Sequence, residues 1–199
     1  MKHFRSVHSW VIVALLAFCL LGNDWLVADP VRHVLVQLPL LALAGWLAFH
    51  GSAGQGLRWA EGGFAPLLFA LFGIAWWMLP RVIDASVSET GMMLVKFASL
   101  PAIGAAVALG WRRAHPLLRG FAKAQAISMA GFMAFLFTHS PARLCNNYLI
   151  ADQWRLGEGF LWLAIVLAIA WSFPLFTGRA AKHPPASSQR IQHLQGAVP

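Results

Sequence analysis

Charge is what this chain has least of. Asp, Glu, Lys and Arg together make up 11% of 199 residues, against roughly 25% in a soluble domain. A water-facing shell cannot be assembled from so few, which excludes a soluble globular fold. Cysteine is down to two, Cys19 and Cys145, with no C-x-x-C spacing, so there is no disulfide framework and no thiol metal motif. Tyrosine occurs once, at Tyr148. A P-loop, an H-E-x-x-H, a G-x-S-x-G and a dinucleotide-binding glycine fingerprint are all missing. Nucleotide-driven and hydrolytic chemistry therefore have no foothold, and the chain is not expected to be an enzyme.

What is there is apolar. Hydrophobic residues reach 59%, with 10 Trp and 14 Phe, and amphipathic rings of this kind settle at the lipid headgroup level. About 20 apolar residues are needed per helical span. Runs of that sort fall near residues 9–28, 33–50, 63–80, 92–111, 122–140 and 158–177. The expected fold is an all-α, polytopic membrane helical bundle of about six transmembrane helices. Residues 1–178 form that domain, and 179–199, rich in Pro, Ser and Gln, form a flexible cytoplasmic tail. Lys2 and Arg5 before the first apolar run give it a signal-peptide look, but Gly22-Asn23-Asp24-Trp25-Leu26-Val27-Ala28 is no clean cleavage site, so it is read as a retained helix.

Direction follows from the basic residues, which resist translocation. Lys2, Arg5, Arg58, Arg112, Arg113, Arg119, Lys123, Arg179, Lys182 and Arg190 fall on one side, and Arg32, Arg81, Arg143 and Arg155 on the other, with Lys96 inside a span. The ten-residue side is expected to be cytoplasmic, with both termini there and the chain in a bacterial inner membrane. A sequence pI near 10.8 then reports topology, and no nucleic-acid partner is expected. No repeat or inverted pair of halves is visible, which counts against transport.

Polar residues gather at the outer ends of the spans. His33, His139, Cys145, Met92 and Met93 lie at similar depth, and imidazole, thioether and thiolate suit copper, above all Cu(I). These five are the expected metal ligands. Haem b held by His33 and His139 is the weaker cofactor reading. Lys96 sits about five residues inside its span, and a charge there normally pairs; Asp84 or Glu158 is the expected partner, the other reading being a fixed cation facing an anionic ligand.

Two segments carry a family resemblance. Asp29-Pro30-Val31-Arg32-His33-Val34-Leu35-Val36-Gln37 resembles an outer helix start in which two His stand four apart, with Gln37 in place of the second. Tyr148-Leu149-Ile150-Ala151-Asp152-Gln153-Trp154-Arg155-Leu156-Gly157-Glu158-Gly159-Phe160-Leu161-Trp162 is similar to an Asp-Gln, then Gly, then Trp stretch entering a late span, with Asp152, Gln153 and Gly157 matching in spacing and Trp162 displaced by one. Both resemble the CtaG family of membrane proteins, associated with assembly of cytochrome c oxidase and its copper centres. The resemblance covers about residues 29–175 and transfers His33, Asp152 and Gln153 by position. A later helix start that carries His in the family is Met92-Met93-Leu94-Val95-Lys96 here. It implies a copper-handling assembly factor for a respiratory oxidase, with the bilayer and that oxidase, or another membrane complex, as partners. The alternatives are a metal-free accessory subunit or a haem-binding redox subunit.

Overall fold

The computed structural model describes residues 2–50, 62–140, 145 and 147–176. All regular structure among them is helical, and the protein is an all-α membrane helical bundle. The chain divides into two compact units, residues 1–164 and 165–199. Arg58, Glu61, Arg143 and the whole 179–199 tail lie outside the described residues, as do the expectations that rest on them.

Helix α1 (Lys2–Leu21) is followed by a short α2 (Asn23–Val27). The two are separated at Gly22, whose φ of −87° and ψ of 8° leave the helical region. The run expected as one span over 9–28 is therefore two pieces. A π-helical turn, Arg32–Gln37, leads straight into α3 (Leu38–His50). Helix α4 (Phe64–Trp77) stops at Met78-Leu79, and α5 (Pro80–Ser88) leaves at 73° to it. Leu79 stands before a proline, which disfavours helical ψ, and its ψ is 124°; Pro80 then occupies the first helical position, where its missing N–H costs nothing. Helices α6 (Thr90–Trp111), α7 (Pro116–His139) and α8 (Ile150–Phe176) complete the chain.

Among the described residues four helices are long and apolar enough to cross a bilayer: Arg32–His50, Thr90–Trp111, Pro116–His139 and Ile150–Phe173. The bent pair α4–α5 is a fifth if its halves count as one span, and Ser9–Leu21 is a shorter apolar helix. Helix α8 begins earlier than expected, so Asp152, Gln153 and Glu158 ride on its first turns rather than in a loop.

Packing centres on α3 and α6. A Cβ placed on Gly45 would collide with the carbonyl of Pro101, and one on Gly104 with the carbonyl of Ala42. The two backbones touch, as small residues allow between helices in lipid, where close packing replaces the hydrophobic drive. Gln37 meets Lys96 and Ala42 meets Gly104, so contacts advance in the same direction along both helices and the pair is parallel. Outward faces carry large apolar side chains such as Phe72, Phe132 and Trp162, a surface that suits lipid and would aggregate in water. In residues 165–199 the described part is the end of α8, with Val166, Ile169 and Phe173 exposed.

Candidate polar site at one end of the helices

The π-helical turn comes from local sequence. Pro39 has no N–H for the carbonyl of Leu35, and its ring crowds that carbonyl. The turn before it widens, closed by the Leu38 N–H on the carbonyl of His33. Such wide turns are frequent at functional sites. Here the turn carries His33 and Gln37 inward, each fully buried.

Gln37 is one corner of a saturated cluster. Its Nε2 donates to the Cys19 carbonyl and to Asn23 Oδ1, both at 3.1 Å. Its Oε1 accepts from Lys96 Nζ at 3.1 Å. Lys96 Nζ donates also to Asn23 Oδ1 at 3.1 Å and lies 5.3 Å from the centre of the Phe97 ring. Asn23 Nδ2 faces Met93 Sδ at 3.8 Å. The ammonium thus has two amide oxygens and an aromatic face about it, while fully buried. The expected ion pair with Asp84 or Glu158 is not formed. Asp84 Oδ1 accepts instead from the Asn147 N–H at 2.9 Å and from its Nδ2 at 2.8 Å, with a third bond from Nδ2 to the Asp84 carbonyl, and Glu158 is exposed. The reason is geometric: α5 turns away from α4 and carries Asp84 outward, leaving the uncharged ends of Asn23 and Gln37 as the partners within reach.

His33 anchors the second cluster. Its Nδ1 is 3.1 Å from the Tyr148 hydroxyl, which itself donates to the Val27 carbonyl at 2.9 Å. Its Nε2 is 3.4 Å from Ser86 Oγ, which donates to the Ile83 carbonyl at 2.7 Å. A hydroxyl faces each ring nitrogen, and the roles at the two contacts depend on which nitrogen carries the proton. Burial first, then Cys145 and the carboxylates of Asp29 and Asp84, push the Tyr148 phenol up, keeping it a donor.

Tyr148 joins the two resembling segments. Gln153 Nε2 donates to the carbonyls of Cys145 and Tyr148 at 3.1 and 3.2 Å, so Gln153 pins the loop whose phenol holds His33. Asp29 Oδ1 caps the turn by accepting from the N–H groups of Val31 and Arg32. Arg155 bridges Asp29 at 3.5 Å and Asp152 at 3.8 Å. Among the described residues no buried side-chain nitrogen or oxygen is left without a partner.

The five expected metal ligands do not fit one copper ion as they stand. His33 has both nitrogens engaged. Cys145 Sγ faces the Pro80 carbonyl at 3.6 Å, and burial, with Asp84 adding, pushes its thiol up to about 11, against the thiolate a metal requires. Met93 faces Asn23 beside the Lys96 ammonium. His139 is exposed, stacked on Phe135 at 4.6 Å and bonded to Thr138 Oγ1 at 2.8 Å, and Met92 is half-buried. Among the described residues no three His, Cys, Asp or Glu come together as a metal-holding group.

Sequence reasoning missed Asn23, Ser86 and Tyr148. The signal for Tyr148 was its standing as the chain's one tyrosine, four residues ahead of Asp152-Gln153; Asn23 and Ser86 carried none.

Fold and site together define a polytopic membrane protein with a buried polar core at one end of its helices. No protein-family model matches the chain, nor does any curated protein or any solved structure.

Proposed function

We propose that this protein is a membrane-embedded assembly or accessory factor for a respiratory cytochrome oxidase, as its resemblance to the CtaG family implies, and that it works without a resident metal. One observation carries the second half. Where the resembling segment has a second histidine, Gln37 holds the Lys96 ammonium, so a covalently fixed cation occupies the polar core. A metal ion beside it would meet like charge in a medium of low dielectric. The first half rests on the two resembling segments, which Tyr148 links, and on the broad Trp- and Phe-rich faces of α7 and α8, which suit docking within the bilayer.

The reading places the chain in a bacterial inner membrane with its basic side, and both termini, toward the cytoplasm. Metal analysis of purified protein, together with oxidase spectra of a deletion strain, tests it. Expected are well under 0.1 copper per chain and a deficit of assembled oxidase on deletion. Stoichiometric copper would return the copper-handling reading, and normal oxidase content would sink the assembly role.

A further inference from the structure

A wholly apolar groove of about 520 Å³ opens between α1, α3, α4 and α6. Gly45, Ala48, Pro101 and Ala105 line its floor and wall, and Phe49 and Leu109 stand at one end. It exists because the small residues that bring α3 and α6 together leave nothing to fill the adjoining furrow.

Its placement along α6 is informative. Pro101 is at the middle of the helix (Thr90–Trp111), and Leu109 is eight residues on, about 12 Å at 1.5 Å per residue. Half of a bilayer core of about 30 Å is about 15 Å, so the groove spans the depth of one leaflet and stops at the midplane. One helical turn beyond Leu109, at headgroup level, comes Arg112, which is exposed. Arg113, Arg119 and Lys123 follow, and the sequence holds no acid between Glu89 and Asp152. Glu61 lies outside the described residues. Arg119 is turned onto the carbonyls of Ala114 and Arg112 at 2.9 and 3.4 Å, Lys123 lies over Trp111, and the Arg112 side chain is the exposed one of the arginines here.

We propose that this groove is a lipid-binding site for one acyl chain of an anionic phospholipid, whose phosphate is met by Arg112. The groove supplies apolar contact matched to one leaflet, and the arginine at its mouth supplies the preference for negative charge. This inference stands on the fold alone and does not depend on the oxidase reading.

The test uses the full chain in nanodiscs of equal phosphatidylglycerol and phosphatidylethanolamine, followed by mild-detergent extraction and native mass spectrometry. About one phosphatidylglycerol should stay with each chain, enriched about fivefold over phosphatidylethanolamine, as one near-surface arginine can give. Ala105→Phe, and separately Ala48→Phe, fill the groove from half-exposed and exposed positions and should abolish retention with little change in melting temperature. Arg112→Gln should keep a lipid but lose the headgroup preference. Absence of retained lipid, retention unchanged in both filling variants, a neutral isoprenoid in place of the phospholipid, or a preference indifferent to Arg112→Gln would each overturn the proposal.

Discussion

Lys96 Nζ donates to Gln37 Oε1 at 3.1 Å, and both residues are fully buried. A charge on one helix is thereby held by an amide on its parallel neighbour, with Asn23 closing the triangle. Lys96→Met removes the donor and strands Gln37 Oε1, while Asn23 Oδ1 still accepts from Gln37 Nε2, at about 1–3 kcal/mol for a buried unsatisfied group. Relief of a buried charge offsets part of that, so a net loss of about 1–2 kcal/mol is expected in detergent unfolding. Lys96→Met with Gln37→Leu should recover part of it, and additive losses would show that the pair is not coupled.

Tyr148 joins the loop before α8 to the π-helical turn. Tyr148→Phe deletes the donor to Val27 and the hydroxyl that meets His33 Nδ1, and about 1 kcal/mol of stability should go with it. Hydrogen exchange should rise in residues 29–37 and 147–153 and stay unchanged across the α3–α6 contact. A uniform rise throughout the chain would mean that Tyr148 acts on the whole fold instead.

Glycines differ sharply. Gly104→Ala drives a methyl into the Ala42 carbonyl, a backbone atom that cannot step aside, so α3 and α6 must part and the folded yield should collapse. Gly131→Ala meets nothing within 4 Å and should raise stability by about 0.5–1 kcal/mol, as for any open helical glycine. Comparing the two melting temperatures checks both, and a tolerated Gly104→Ala would disprove the backbone contact.

Cys145 gives a pH dependence of known sign. Its folded pKa is raised from 9.0 to about 11, by burial first and Asp84 second, so folding favours the neutral thiol. That contribution is complete below pH 9 and fades as pH climbs through 11. Wild-type stability relative to Cys145→Ala should therefore shrink between pH 9 and 11 and be flat from pH 6 to 8. Alkylation of Cys145 in folded protein should be slow at pH 8; rapid labelling there would contradict its burial.

The apolar runs made the membrane fold legible, because hydrophobic content over about 20 residues depends only on composition. The break at Leu79-Pro80 was written there too, as proline acts on its own backbone, whereas the one at Gly22 fell inside a run read as a single span. His33, Gln37, Lys96 and Gln153 were singled out from sequence and all fall in the polar core. Their partners were not foreseen, since opposite charge was the natural pairing for Lys96, yet neutral Asn23 and Gln37 take that place.

By itself the sequence determined an all-α bundle with a lipid-compatible surface and polar residues gathered at helix ends. Only the tertiary structure decided which of those polar residues meet. The parallel contact of α3 and α6 through Gly45 and Gly104, with the π-helical turn ahead of Pro39, sets Gln37 opposite Lys96. Such a pairing depends on how close and in what register two helices pack, and no local pattern of residues encodes that.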